Sequence, residues 1–127
     1  MSEQDLSIWS LGQISMRAID IERAKAYYRD VLGVPFLFDV PKMAFFDLDG
    51  VRLMLAVPEG AHDHPGSILY FRVPDLDQAH SVLTSRGVEF DSDPTMIADM
   101  EDHELWMASF KDTEGNQLAL MSEVFKA

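Results

Sequence analysis

The chain reads as an α+β domain in which one βαβββ module is used twice, and three features predict this. Residues 15–28, SMRAIDIERAKAYY, return fifty-five positions later as residues 70–83, YFRVPDLDQAHSVL, with Arg17/Arg72, Asp20/Asp75 and Ala24/Ala79 identical. A second echo pairs residues 45–55, FFDLDGVRLML, with residues 110–120, FKDTEGNQLAL, keeping Phe, Asp, Gly and two Leu in step. In each copy a stretch of period-two alternation gives way to a helical stripe and then to short strands. Self-matches in the same order mean a repeated structural unit. The cleft where two such copies meet is the first place to seek a ligand.

The first module spans about 8–57. From Gln13 to Ala18, Ile14, Met16 and Ala18 fall on one face and Gln13, Ser15 and Arg17 on the other, the pattern of a half-buried strand. Asp20 stands at an N-cap position, and Ile21, Ala24, Tyr28 and Val31 form an apolar helical stripe that Gly33 can close. Strands are expected near 35–39, 43–47 and 51–57, with Asp49-Gly50 as a two-residue hairpin turn. A linker, PEGAHDHPG (58–66), follows.

The second module, about 67–123, repeats the plan. Leu69, Phe71 and Val73 face one way and Ile68, Tyr70 and Arg72 the other. Asp75 caps a helix with Gln78 three residues on, Leu76, Ala79, Val82 and Leu83 make its stripe, and Gly87 ends it. Strands are expected near 88–91, 104–111 and 116–122, the last two joined at Glu114-Gly115. The two echoes differ in offset, fifty-five against sixty-five, so the second module carries ten extra residues, which fall in DSDPTMIADMEDH (91–103). Such a non-repeating segment is either a functional loop or a surface excursion.

Composition narrows the classes of partner. At 127 residues with 47% hydrophobic and 25% charged, the chain is one soluble globular domain. A formal net charge of −12 argues against nucleic acid and anionic membrane surfaces. With no cysteine there is no disulfide framework, thiolate nucleophile or Cys-based zinc site. The start, MSEQDLSIWS, has neither a basic segment nor an apolar core, and no apolar run reaches membrane-spanning length, so a cytoplasmic protein is expected.

Three stretches, DIERAKAYYRDVLG (20–33), VPDLDQAHSVLTSRGVEF (73–90) and KDTEGNQLALMSE (111–123), carry a family likeness. Together with the doubled βαβββ plan they resemble the vicinal oxygen chelate superfamily of glyoxalases, bleomycin- and fosfomycin-resistance proteins and extradiol dioxygenases, over residues 11–123. The last stretch is similar to that family's Asp-x-x-Gly-Asn turn into its final strand. The resemblance implies a glyoxalase/bleomycin-resistance fold, with two modules forming a curled mixed sheet around a cup and helices outside. It says little about activity, because the superfamily hosts many chemistries.

Metal-dependent members set four ligands in the cup: His or Gln on the first strand, Glu late in the first half, His on the first strand of the second half, and Glu on the last strand. Carried onto this chain, those positions are Gln13, Met54, Ile68 and Ala119. One amide and three side chains without a hard donor cannot hold Mg²⁺, Mn²⁺ or Zn²⁺. No metal and no other cofactor is expected. The cup that remains is lined by Gln13, Ser15, Met54, Ile68, Tyr70, Ala119 and Met121, with Arg17 and Arg72. That is an apolar setting with few polar groups, suited to a small organic ligand.

Among the histidines, His62 and His64 have spacing a surface metal can use, but they sit in the linker, and His80 reads as helix surface. His103 ends the non-repeating segment at EDHELWM, a stretch that resembles one in a generically described bacterial subgroup of the superfamily. Folded over the cup it can serve as acid, base or hydrogen-bond donor; otherwise it is a loop-to-strand His bonded to backbone. Trp106 can stack on a planar ligand, anchor a lid, or be core. Arg17 and Arg72 either meet an anionic ligand or pair with Asp20 and Asp75 at the sheet rim.

The expected function is a small-molecule-binding homodimer, its module edges covered by a second copy. It sequesters a small organic molecule or acts on it without metal, with His103 as the catalytic candidate. Two alternatives stand beside this. One is a metal-dependent glyoxalase-type lyase or isomerase using Gln13 with ligands from 99–104. The other is a non-catalytic dimeric structural protein.

Overall fold

Alternating burial along Gln13–Arg17 makes the first strand, β1, and Asp20 then turns the chain into a helix by accepting the backbone N–H of Arg23 at 3.1 Å. A computed structural model describes residues 6–59 and 66–127; His62, His64 and the centre of the expected linker lie outside the described residues. Helix α1 (Ile21–Ala26) runs into a π-helical turn (Tyr27–Val31), closed by Leu32 N–H on the Tyr27 carbonyl at 3.0 Å. Strands β2 (Phe36–Val40), β3 (Met43–Leu48) and β4 (Val51–Ala56) follow, the last two joined through Asp49-Gly50 with both residues at positive φ.

The second module supplies β5 (Leu69–Arg72), α2 (Leu76–Ser85), β6 (Thr95–Asp99), β7 (His103–Lys111) and β8 (Gln117–Phe125). Asp75 caps α2 through the Gln78 backbone N–H at 3.0 Å. Each module folds into a four-stranded mixed sheet of the same order, β1-β4-β3-β2 and β5-β8-β7-β6. The first strand runs parallel to the last, and the other neighbours are antiparallel.

The strand expected at 88–91 does not form; only Phe90 makes an isolated bridge, to Phe110. The fourth strand of that sheet, β6, lies instead inside the segment read as a non-repeating loop. The ten extra residues are thus not gathered into a lid. They are spread over the connection from α2 to β6, a longer β7 and a wider β7–β8 turn.

The core lies on the helix side of both sheets. Met16, Phe46, Leu53 and Leu55 of the first sheet and Ala108, Phe110, Leu118 and Leu120 of the second are buried together with Ala24, Tyr28, Leu76 and Leu83 of the helical segments. The β7–β8 turn ties the modules to each other. Buried Asp112 accepts the Tyr28 hydroxyl at 2.6 Å and the Asn116 side-chain amide at 2.8 Å, and Asn116 also donates to the Arg17 carbonyl at 2.8 Å. Glu114 accepts from Arg23 Nε and from the Asp20 backbone N–H, both at 2.8 Å. Burial and the neighbouring Asp112 charge push the Tyr28 phenol well above its ordinary range, so it stays a donor.

Candidate functional site

Period-two alternation sends one set of side chains away from the helices, onto the open face of each sheet, where the cup is expected. On the first sheet these are Gln13, Ser15 and Arg17, in register with Arg52, Met54 and Ala56 of β4. Phe45 of β3 stands opposite Met54, and Phe38 of β2 opposite Phe45. Gln13 donates from Nε2 to Met54 Sδ at 3.7 Å and accepts from Arg52 Nε at 2.9 Å. The Arg52 guanidinium lies 5.4 Å from the Phe45 ring centroid, and that ring stacks on Phe38 at 4.5 Å and 20°.

On the second sheet the same face carries Tyr70 opposite Ala119 and Arg72 opposite Met121, flanked by Ser109, Met107 and Leu105 of β7. Ile68, just before β5, is 47% exposed and Tyr70 is 51% exposed, whereas Ala119 is 1% exposed beneath them. Apolar side chains half open to solvent make these faces surfaces rather than core.

Six expected ligand-binding residues therefore fall into two groups: Gln13, Ser15 and Met54 on one sheet, Ile68, Tyr70 and Ala119 on the other. Within one chain the modules are joined by the Tyr28, Asp112 and Asn116 hydrogen bonds and by a shared core on the helix side of the sheets. Trp106 stands apart. It pairs with Met96, packs against the core and donates Nε1 to Glu104 at 2.9 Å, on the helix side of the sheet.

His103 opens β7 at the end of the second open face. Its Nδ1 lies 2.7 Å from Asp102 Oδ1 and its Nε2 3.4 Å from Glu123 Oε2, with the ring 5.2 Å from Phe125. Arg72 Nε is 3.4 Å from the other oxygen of Glu123. The hydrogen bond from His103 holds the Asp102 carboxyl below its ordinary range. Arg72 thus pairs with Glu123, not Asp75, which caps α2. His80, read as surface, rests on Phe90 at 4.3 Å. Sequence alone does not single out Glu123, Arg52, Phe45 or Phe38; the parity of β8, β4 and β3 carries the first three to the open faces, and the irregularity between Phe36 and Phe38 in β2 sets Phe38 opposite Phe45.

The donors at positions 13, 54, 68 and 119 do not fit the divalent ion that the fold implies. Only one amide oxygen or nitrogen is present, and its neighbour is a thioether. Among the described residues, no three His, Asp or Glu side chains gather at metal-binding distance. Three of the four carboxylates of 99–104 have other partners: Asp99 takes Lys126 at 2.6 Å, Asp102 takes His103, and Glu104 takes Trp106.

The family model described as Glyoxalase/Bleomycin resistance protein/Dioxygenase superfamily matches residues 10–120. A superfamily member from Sphaerobacter thermophilus is 26% identical, with a TM-score of 0.77 over 93% of this chain and 100% of that one. A lactoylglutathione lyase from Agrobacterium tumefaciens is 19% identical, with a TM-score of 0.75 over 89% and 92%. TnmS3, an antibiotic binding protein from Streptomyces, is 22% identical, with a TM-score of 0.74 over 94% and 99%. No curated protein matches the chain.

Proposed function

The chain belongs to the Glyoxalase/Bleomycin resistance protein/Dioxygenase superfamily, and from that premise we propose that it binds a small, partly apolar organic molecule in the cup without a metal ion. The observation that carries this reading is the chemistry of the open faces. Met54, Ile68 and Ala119 stand where the family's metal site would need donors, and Phe38, stacked on buried Phe45, and Tyr70 add aromatic surface. Such walls favour a planar or apolar ligand over a hydrated ion. That one similar fold belongs to an antibiotic binding protein agrees with sequestration as the role.

The functional unit in this reading is a homodimer. Half-exposed apolar side chains on both faces, with β1 and β5 standing at the ends of their sheets, support closure of the cup by a second copy. Among the described residues no helix is long and apolar enough to cross a membrane.

A catalytic version rests on His103. An imidazole held between Asp102 and Glu123 at the rim of the open face can pass a proton to or from a bound molecule. The chemistry would then be of lyase or isomerase type.

Thermal-shift measurement against divalent ions, glutathione adducts, aromatic antibiotics and acyl thioesters tests the proposal, since a ligand of the folded state raises its melting temperature. An organic ligand should stabilise the wild type and lose that effect in Ile68→Lys and Met54→Lys. Stoichiometric divalent metal in the purified protein, with stabilisation by ions alone, overturns it.

A further inference from the structure

The two helices begin alike and then diverge. Asp20 and Asp75 cap them in the same extended conformation, and Ala24 and Ala79 follow at the same step. The same fifty-five-residue offset takes Tyr27 and Tyr28 to Val82 and Leu83. In the first module Tyr28 is fully buried, with its ring 5.9 Å from Phe46 and its hydroxyl on Asp112. In the second, Leu83 and Phe110 line one hollow, and Phe110 pairs with Leu118 as Phe46 pairs with Leu53. Position 83 thus carries no ring; the ring beside Phe110 is that of Phe90 at 5.1 Å, the counterpart of Phe36 at 5.5 Å from Phe46.

A hollow of about 330 Å³ opens there. Its walls are Phe71, Val73, Ala79 and Leu83 of the second module and, across the module boundary, Leu32 and Val34 of the first. Polar groups reach it from Asp75, Gln78 and Arg86. Asp75 already caps α2, and Arg86 donates Nη1 to the Val31 carbonyl at 2.9 Å. The charges of Asp75 and Arg86 oppose each other, so the mouth favours neither an anion nor a cation.

We propose that this hollow is a second ligand site, separate from the open faces of the sheets, and that it takes a small neutral aromatic molecule. The ring fills the volume that a tyrosine fills in the first module. An enclosed apolar cavity of ~150 Å³ binds benzene; the hollow here is larger and open to solvent on one side, with mainly apolar walls, and so suits a bicyclic arene such as indole. Because its walls come from both modules, occupation also braces the boundary on the side that lacks a counterpart of the Tyr28–Asp112 bond.

Methyl-resolved NMR of the wild-type chain, titrated separately with indole and with benzoate, tests this. Saturable shifts at Val34, Val82 and Leu83 are expected with indole, with Met54 and Ile68 unmoved, and at least tenfold weaker binding of benzoate. Ala79→Leu should weaken indole binding at least tenfold by filling the space. Xenon-pressurised crystals of the wild type should show a peak beside Leu83, a result independent of whether that variant folds. The site is wrong if neither xenon nor indole to its solubility limit reaches these residues, or if the shifts centre on Met54 and Ile68. Benzoate binding as tight as indole overturns the neutral class.

Discussion

Asp112 is 7% exposed and receives four hydrogen bonds, from the Tyr28 hydroxyl, the Asn116 amide and two backbone N–H groups of its own turn. A buried carboxylate is tolerable only when satisfied in this way. Tyr28→Phe should cost about 1–2 kcal/mol in urea unfolding, and Asp112→Ala more, because it strands the Tyr28 and Asn116 donors. Neighbouring Glu114 ties the same turn to α1. Burial alone would raise its carboxyl, but hydrogen bonds from Arg23, the Asp20 backbone and Thr113 bring it down to about 2. A carboxylate with a depressed folded value stabilises above its unfolded value and loses that contribution as pH falls through the folded one. Stability should therefore decline between about pH 4.5 and pH 2. Glu114→Gln should be weaker than wild type at pH 7 and approach it near pH 2, as read by melting temperature across that range.

At the scale of elements, α2 depends on its cap, and Asp75→Ala should cost about 1 kcal/mol in a denaturation midpoint. Both caps, the Asp49-Gly50 turn and the strands of the first module were legible because local chemistry dictates them. Strand β6 was not. Thr95–Asp99 is an exposed edge strand with no alternation of burial, set among Pro and Asp, so only its pairing with β7 reveals it. The π-helical turn was equally hidden, because an apolar stripe does not distinguish a bond to the fourth residue back from one to the fifth. The echo aligned Phe45 with Phe110, yet Phe46 is the residue that occupies Phe110's place, since the β7–β8 turn is wider than the Asp49-Gly50 turn. Of the site, parity carried Gln13, Met54, Tyr70 and Ala119 to the open faces. Trp106 needed the true start of β7 at His103 before its side of the sheet could be assigned.

For the whole molecule, the vacant ligand positions offer a gain-of-function test. Met54→Glu with Ile68→His and Ala119→Glu joins Gln13 in a four-donor set of the type a divalent ion accepts. The triple variant should bind zinc at one ion per cup with micromolar or tighter affinity by calorimetry, while the wild type shows no such heat. Failure of the variant, if folded, would mean that the two faces do not converge on one chamber. The Asp112–Asn116 turn has a consequence for how related chains are sorted. It is a rivet between halves and takes no part in either open face, so a likeness confined to that stretch speaks for assembly and not for what the chain binds. Grouping sequences by that stretch collects them by scaffold; on the function proposed above, catalysts and carriers are told apart at positions 13, 54, 68 and 119.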